Sequence, residues 1–122
     1  MTVISTATRI CAIDDLTPGL GVAALVDGVQ VALFLLPDGS VRCVQNLDPY
    51  SGASVMSRGI VGSRGGVPTL ASPLYKQVFS LDDGRCLASM DAEPVAGLSG
   101  DLIMHHVDVY DSTVVVELSD GR

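Results

Sequence analysis

Apolar residues in this chain occur in short alternating runs, separated by dipeptides that form tight turns. Residues 22–26 and 29–36 flank Asp27-Gly28, and Asp and Gly suit the positive φ angles of a two-residue β-hairpin turn. Pro37-Asp38-Gly39 gives the next turn, because Pro presets φ and Gly accepts the left-handed position. Further strands of this kind are predicted at residues 40–45, 77–81, 85–88, 106–110 and 113–118.

The turn signals continue to the C-terminal end and indicate one fold class. Asp82-Asp83-Gly84 and Asp111-Ser112 separate the later strands. No window of about 12 residues keeps a helical period. A single helical turn is predicted at 14–16, and residues 92–100 are predicted to form a loop. Regularly spaced short strands predict one all-β domain, a sandwich or barrel, over residues 1–122.

Residues 51–72 do not fit the strand pattern. This segment contains Gly52, Gly59, Gly62, Gly65 and Gly66. Glycine at that density lets a backbone approach another backbone or a ligand closely. Its apolar residues can anchor it, so the sequence predicts a long ordered loop with a function.

Composition limits the classes of function. The 122 residues are 48% hydrophobic with a mean hydropathy of +0.43, which suits one globular domain. The three cysteines form no C-x-x-C pair, so we expect neither a disulfide framework nor a thiolate metal site. No apolar run approaches a membrane span, and no secretory signal precedes the domain, so we expect a cytoplasmic protein without a membrane partner.

Charge is distributed unevenly along the chain. The net charge is −7, which argues against nucleic acid as a partner because phosphate contacts need an excess of Lys and Arg. Residues 46–81 nevertheless contain three basic side chains and one acidic one. This local excess of positive charge arises either from chance or from a face that differs from the rest of the surface.

Two loops of the chain resemble those of Rieske-type iron–sulfur domains. Such domains hold a [2Fe–2S] cluster with two loops, C-P-H-x-G-A and C-P-x-H-G, followed by F-x-L-x-x-G-x-C-L. Here the loops read D-P-Y-S-G-A from Asp48 and S-P-L-Y-K-Q from Ser72, and the F-x-L-x-x-G-x-C-L segment is kept. The resemblance implies an all-β Rieske-like fold with pseudo-cluster loops at about 46–66 and 71–77. Asp48 and Ser72 replace the cysteines, and Tyr50 and Tyr75 replace the histidines, so it also implies no metal site.

A narrower resemblance is to the small subunit of assimilatory NAD(P)H-dependent nitrite reductase. The segments D-P-Y-S-G-A-S-V-M-S-R-G-I-V-G at 48–62 and A-S-P-L-Y-K-Q-V-F at 71–79 match that family closely. The family implies a large catalytic subunit that carries FAD, a [4Fe–4S] cluster and siroheme and reduces nitrite to ammonium in nitrate assimilation. It also implies that this chain is a non-catalytic subunit that binds no cofactor itself.

Individual polar residues have structural interpretations. Tyr50 and Tyr75 are predicted to fill the volume of the missing cluster, with hydroxyls bonded to backbone groups. Asp48 is predicted to cap a turn. The adjacent His105 and His106 lie at the start of the predicted strand 106–110, and neighbouring residues of a strand point to opposite faces, here one to solvent and one to the core edge.

The cysteines are predicted to behave as small apolar side chains. Cys11, Cys43 and Cys86 lie in or beside apolar strands, where free cysteines are normally buried. The pattern permits a contact between Cys43 and Cys86, without a disulfide in a reducing compartment.

The resemblance and the local charge together predict a docking face for the large subunit. Basic side chains steer association and apolar ones make contact. The predicted interface residues are Arg58, Arg64 and Lys76 (basic), and Tyr50, Val55, Met56 and Leu74 (apolar). Two alternatives stay open: a Rieske-type ferredoxin with an unusual centre, and a stand-alone module that binds another redox enzyme.

Overall fold

Ten strands form two antiparallel sheets in the computed structural model, which describes residues 7–119. Two short 3-10 helices, Ile13–Asp15 and Met56–Arg58, lie between strands. The strands are β1 (Thr8–Ala12), β2 (Val22–Val26), β3 (Val29–Leu35), β4 (Val41–Gln45), β5 (Ile60–Arg64), β6 (Val67–Ala71), β7 (Val78–Ser80), β8 (Cys86–Ala88), β9 (Met104–Tyr110) and β10 (Thr113–Glu117).

The second sheet is an insertion between two neighbouring strands of the first. The six-stranded sheet has the order β1-β10-β9-β4-β3-β2, and the four-stranded sheet has the order β5-β6-β7-β8. Strands β4 and β9 pair with each other, so the chain between them leaves the first sheet, builds the second and returns. The all-β prediction is therefore confirmed. No helix among residues 7–119 is long and apolar enough to cross a membrane.

The predicted turns carry the expected backbone angles. Asp27 and Gly28 have φ of 48° and 81°, and they join β2 to β3 with Val26 opposite Val29. Asp111 and Ser112 have φ of 49° and 63° and join β9 to β10. Both are two-residue turns with positive φ, whose twist matches that of the flanking strands. The turn dipeptides therefore determine the register of these hairpins.

The segment 51–72 is the main correction to the sequence prediction. Its second half is not a loop but the hairpin β5–β6, in which Arg64 lies opposite Val67 and Ile60 opposite Ala71. Gly65 and Gly66, with φ of 57° and 86°, form its two-residue turn. The glycines therefore serve a hairpin turn, so the predicted pseudo-cluster loop 46–66 ends before β5. Strand β1 was also absent from the prediction.

Two hydrophobic cores lie on opposite faces of β3 and β4. One core, between the sheets, contains Phe34, Val44 and Phe79. The other contains Leu33 and Cys43 on the far face of the same strands. Residues of both strands are buried on both faces, which explains the continuous apolar run Val31 to Leu35 in β3.

This arrangement separates the cysteines. Cys43 lies in the second core, whereas Cys86 packs against the first, so the contact permitted by the sequence is not formed. All three cysteines are free thiols, and only Cys43 is fully buried, while Cys11 and Cys86 are half-buried.

A glycine at the junction of the two sheets provides a test of this packing. A Cβ at Gly21 would overlap the Ser57 carbonyl oxygen and lie 2.7 Å from Cε1 of Phe34. We expect Gly21→Ala to lower the free energy of unfolding by about 1–3 kcal/mol, because an overpacked contact must be relieved by backbone shifts. The measurement is urea denaturation.

The matched control is Gly62→Ala, whose Cβ would make an ordinary 3.4 Å contact with Thr69 Oγ1. The urea midpoint of Gly62→Ala should remain near that of the wild type. Equal midpoints for both variants would contradict the close packing of Gly21.

Candidate functional site

Three loops meet at one end of the second sheet. The first loop (residues 46–59) precedes β5, the second loop (residues 72–77) joins β6 to β7, and the third loop (residues 89–101) follows β8. The first two are the loops that the sequence singled out. The third was predicted only as a loop, and its sequence contains no motif that would connect it with the others.

Asp48 joins the first two loops from a fully buried position. Its Oδ2 accepts hydrogen bonds from Ser72 Oγ at 2.7 Å and from Ser51 Oγ at 2.9 Å, and its Oδ1 accepts one from Tyr50 N at 2.9 Å. A buried carboxylate needs such donors to offset its loss of hydration. Asp48 therefore caps the turn at the start of its loop, as predicted, and also holds the second loop in place.

Backbone hydrogen bonds close both loops tightly. In the first, Asp48 N donates to Ala53 O at 2.8 Å and Gly52 N donates to Asp48 O at 2.8 Å. In the second, Ser72 N donates to Gln77 O at 2.9 Å. These bonds give each loop a defined conformation.

The third loop is attached to the other two. Val95 N donates to Pro49 O at 2.8 Å, which ties it to the first loop. The fully buried Gln77 donates from Nε2 to Ser89 O at 3.3 Å, which ties it to the second loop. The three loops therefore form one connected surface.

Tyr50 lies at the centre of this end of the molecule. Its half-buried ring packs against the first core, with its centroid 6.1 Å from that of Phe79. The prediction that Tyr50 fills space is therefore consistent with its position, although its hydroxyl donates to Cys86 Sγ at 3.4 Å and not to a backbone carbonyl. Burial, followed by the hydrogen bond to Cys86 and nearby negative charge, raises the pKa of Tyr50 to about 12.

Tyr75 does not fill the same volume. Its side chain is 58% exposed, so the prediction that it replaces a buried ligand as a plug is wrong. It follows Leu74 at the outer surface of the second loop, where the chain turns through Lys76 at φ 68°. Because the second loop turns outward here, Tyr75 points to solvent.

The residues at the four ligand positions do not fit a [2Fe–2S] cluster. Such a cluster requires thiolates and imidazoles, whereas these positions carry Asp48, Tyr50, Ser72 and Tyr75. Asp48 and Ser72 are already bonded to each other, and Tyr75 faces solvent. No group of three or more His, Cys, Asp or Glu side chains suited to a metal ion occurs among the described residues.

Exposed apolar side chains cluster on the second and third loops. Leu74 is 48% exposed and Met90 is 59% exposed, and Tyr75 and Val95 are also exposed. Ile60, at the start of β5, adds a fifth exposed apolar side chain beside the same loops. Several exposed apolar side chains on the connected loops of an ordered domain are typical of a binding surface.

The predicted interface residues are only partly brought together. Leu74 and Lys76 are exposed on the second loop, Arg58 is exposed on the first, and Tyr50 and Val55 are half-buried. Met56 is fully buried in the first core, so its prediction as a contact residue is wrong. Arg64 lies beside the hairpin turn of β5–β6, at the opposite end of that hairpin from Ser72, and does not share the loop surface.

The third loop also changes the predicted charge. Its exposed acids Glu93 and Asp101 lie close enough to Tyr50 of the first loop to raise the pKa of that phenol. The local positive charge read from residues 46–81 is therefore accompanied by negative charge from the third loop. These acids were missed because they are distant in sequence from the two recognised loops.

The histidine pair follows the strand geometry that was predicted for it. His105 is buried and its Nδ1 accepts a hydrogen bond from Ser119 N at 3.0 Å. His106 is exposed, with its Nε2 2.6 Å from Asp108 Oδ2. The two imidazoles therefore lie on opposite faces of β9, as expected.

The link between the loops can be tested by removing one hydroxyl. We expect Ser72→Ala to lower the free energy of unfolding by about 1.5–3 kcal/mol, because a hydrogen bond to a buried charged group is lost. Thermal or urea unfolding measures this change. Ser54→Ala, at an exposed position of the same loop region, should leave stability unchanged. If Ser72→Ala leaves the free energy of unfolding unchanged, the Asp48–Ser72 hydrogen bond does not stabilise the loops.

The environment of Tyr50 predicts a specific pH dependence. A tyrosine in the unfolded chain ionises near pH 10, whereas the pKa of Tyr50 is raised to about 12 in the fold. The folded state therefore retains the proton longer, and we expect stability to fall as pH rises from about 10 to about 12. Phenolate absorbance is recorded against pH for the wild type and for Tyr50→Phe. The difference between the two curves gives the titration of Tyr50 alone.

The variant Cys86→Ala should lower the pKa of Tyr50, because the sulfur that accepts its hydrogen bond is removed. A phenol that titrates near pH 10 in the wild type would contradict this description of the site.

Comparison with known proteins places this geometry in a family. Residues 6–117 match the model of the Rieske-like [2Fe-2S] domain. The ferredoxin of carbazole 1,9a-dioxygenase from Nocardioides aromaticivorans has the same fold, with a TM-score of 0.76 over 94% of this chain and 100% of that chain, at 24% identity.

More similar proteins are nitrite reductase subunits. The nitrite reductase (NADH) small subunit of Salmonella typhimurium is 48% identical over 80 residues, which are 65% of this chain and 74% of that protein. A Mycobacterium tuberculosis crystal structure, provisionally described as an NADH-dependent nitrite reductase small subunit, is 46% identical, with a TM-score of 0.83 over 96% of this chain and 98% of that chain.

A large subunit also contains a related segment. The nitrite reductase [NAD(P)H] large subunit of Klebsiella oxytoca is 45% identical over 76 residues, which are 62% of this chain but only 8% of that protein. The family match, the sequence identities and the shared fold agree with the loop motifs described above. The chain belongs to the Rieske-like [2Fe-2S] domain family, among the small subunits of nitrite reductase.

Proposed function

We propose that this chain is a non-catalytic small subunit of an NAD(P)H nitrite reductase and docks on the large subunit through its second and third loops. The observation that carries the docking proposal is the exposure of Leu74, Tyr75, Met90 and Val95 on these loops. Buried hydrogen bonds connect the loops, so the apolar side chains are presented on an ordered surface. A preorganised apolar surface loses less entropy when it binds.

The chemistry of the loops supports a non-catalytic role. A general base or nucleophile needs a free, activated side chain at an accessible position. Asp48 is fully buried and its two oxygens accept three hydrogen bonds. Burial and the Cys86 thiol keep the pKa of Tyr50 near 12, so its phenol stays protonated at neutral pH.

The charged side chains around the apolar surface suit a polar rim. Lys76 follows Tyr75 and Asp91 follows Met90, and both are exposed, as are Arg58 on the first loop and Glu93 on the third. Mixed charges at a rim influence orientation and association rate more than affinity. This arrangement therefore supports a partner with complementary charges of both signs, and it replaces the simple basic face that the sequence suggested.

The Klebsiella oxytoca protein gives independent support for the partner. It is a nitrite reductase large subunit that includes a segment 45% identical to residues of this chain. A domain of this type thus occurs in one polypeptide with a large subunit. We infer that the separate chain associates with such a subunit.

The complex would divide the chemistry between two chains. FAD, siroheme and a [4Fe–4S] cluster belong to the large subunit in this proposal, and nitrite is reduced there to ammonium for nitrate assimilation in the cytoplasm. The small subunit contributes surface and no redox group, because Asp48, Tyr50, Ser72 and Tyr75 supply neither thiolate nor imidazole. The same donor chemistry disfavours the alternative of a Rieske-type ferredoxin.

A matched pair of tyrosines tests the docking surface. Tyr75 on the second loop and Tyr110 at the end of β9 are 58% and 61% exposed. We expect Tyr75→Ala to weaken binding to the purified large subunit about tenfold or more, because an aromatic contact residue is lost. Tyr110→Ala should bind like the wild type. Calorimetry or surface plasmon resonance gives both affinities.

Two results would count against the proposal. If neither variant changes a measurable affinity, the second loop is not the docking surface. If the wild-type chain does not bind the large subunit at all but captures another redox enzyme, it is a module of that enzyme.

A further inference from the structure

The free edge of β5 provides a second kind of contact. We propose that an extended segment of the large subunit adds to this edge as a further strand of the four-stranded sheet. This inference rests on the proposed function, since it names how that partner binds. Strand addition at an exposed edge is a recurrent mode of peptide recognition, in which main-chain hydrogen bonds supply affinity.

The register of the hairpin shows which backbone groups face outward. In a hairpin with a two-residue turn, the flanking residues form a hydrogen-bonded pair, and such pairs alternate with non-hydrogen-bonded ones. Arg64 and Val67 flank the Gly65-Gly66 turn, so Ser63 and Val61 occupy non-hydrogen-bonded positions. The N–H and C=O groups of Val61 and Ser63 therefore point away from β6.

The sequence of β6 agrees with this assignment. Pro68 lies opposite Ser63, and proline is tolerated there because that pair exchanges no hydrogen bond. The carbonyl of Pro68 instead accepts a hydrogen bond from Leu81 N at 2.8 Å on the other side. Within residues 7–119, no group accepts a hydrogen bond from the N–H of Val61 or of Ser63.

Two of the other sheet edges, at β8 and β1, are protected. At β8, Cys86 N donates to Asp101 Oδ1 at 2.8 Å, so a side chain covers the edge. At β1, the register shifts between Arg9 and Cys11, and an irregularity of this kind prevents regular pairing. The same register reasoning leaves Ala23 and Leu25 of β2 open, which makes β2 the natural comparison for β5.

The position of β5 favours the large subunit as the occupant. This strand begins directly after the first loop, and β6 ends directly before Ser72 of the second. Its first residue, Ile60, is 62% exposed and pairs with Ala71, the residue directly before the second loop. A partner bound to the loops would therefore have its own chain within reach of this edge.

A cleft of about 640 Å³ beside the edge indicates the chemistry of the segment. Its lining includes Val61, Gly62 and Ser63 of β5, Pro68 of β6, and the exposed acids Asp38 and Asp82. Hydrogen bonds from Ser40 lower the pKa of Asp38, so that carboxylate stays charged.

The one arginine that lines the cleft is already engaged. Arg42 Nη1 donates to Asp82 Oδ1 at 2.9 Å and to Leu81 O at 2.7 Å. Arg42 therefore offsets the charge of Asp82, and Asp38 gives the cleft a net negative charge. This charge suits an extended segment that carries a lysine or arginine side chain.

Hydrogen exchange of single amides tests the proposal directly. The chain is compared free and in complex with the purified large subunit. We expect the amides of Val61 and Ser63 to exchange rapidly in the free chain and to be slowed about 100-fold or more in the complex, because each gains a hydrogen-bond acceptor. The amides of Ala23 and Leu25, on the other open edge, should exchange at the same rate in both states.

A pair of proline variants provides a second measurement. Ser63→Pro and Ala23→Pro each remove one outward-facing N–H from an open edge without removing a ladder hydrogen bond. Ser63→Pro should weaken binding to the large subunit at least about tenfold, whereas Ala23→Pro should not, with circular dichroism confirming that both fold. If Ser63→Pro does not fold, the exchange rates of Val61 and Ser63 in the wild-type chain alone decide whether a strand is added at β5.

The outcomes separate this inference from the proposed function. If a complex forms but Val61 and Ser63 exchange as in the free chain, strand addition is wrong while docking through the loops stands. If the large subunit does not bind at all, both fail. Protection at Ala23 and Leu25 instead of Val61 and Ser63 would assign the added strand to β2 and overturn the choice of β5.

Discussion

The hydrogen bond between the buried Asp48 carboxylate and the Ser72 hydroxyl holds the functional end of this protein together. The two residues are 24 positions apart, and the bond joins the loop that leaves the first sheet to the loop within the second. A buried carboxylate without donors is costly, so the positions of Ser51, Ser72 and the Tyr50 amide are not independent of one another. In a Rieske domain, bonds to a metal cluster join the equivalent loops. Here one carboxylate joins them, with bonds that need no metal.

This replacement explains how the loops can expose apolar side chains and stay ordered. Hydrogen bonds at Pro49 and Gln77 extend the network to the third loop. The backbone of the second and third loops is therefore held in place beneath their exposed apolar side chains, Leu74, Tyr75, Met90 and Val95. The second loop even includes Lys76 at φ 68°, a conformation that costs a residue with a side chain about 1–2 kcal/mol. Without hydrogen bonds to the rest of the protein, the local backbone preference of Lys76 would return it to a negative φ. The order of the surface therefore comes from the buried hydrogen bonds.

Local signals in the sequence were sufficient for much of the fold but not for the site. Asp27-Gly28 and Asp111-Ser112 specify hairpins through their own backbone preferences, so the paired strands could be predicted. Gly65-Gly66 is an equally good hairpin signal, but it was hidden by neighbouring glycines that suggested a loop.

Side-chain placement depends on contacts that are distant in sequence. Met56 is apolar and near the loops, yet its 3-10 turn packs against β3 and places it in the core. Tyr75 matches a ligand position in the motif, yet the turn at Lys76 leaves it in solvent. Hydrogen bonds at Pro49 and Gln77 tie the third loop to the site, and no sequence pattern predicts either of them.

Overall charge explains why open edges can persist in such a protein. An uncharged edge strand such as β2 is a hazard, because it can pair with the same strand of another copy. Each copy of this chain carries a net charge of −7, so two copies repel each other at the distances that precede pairing. The same charge attracts a partner segment that carries lysine or arginine. An acidic domain can thus keep backbone groups available at β5 for a basic segment, while its charge opposes the symmetric pairing that an open edge would otherwise permit.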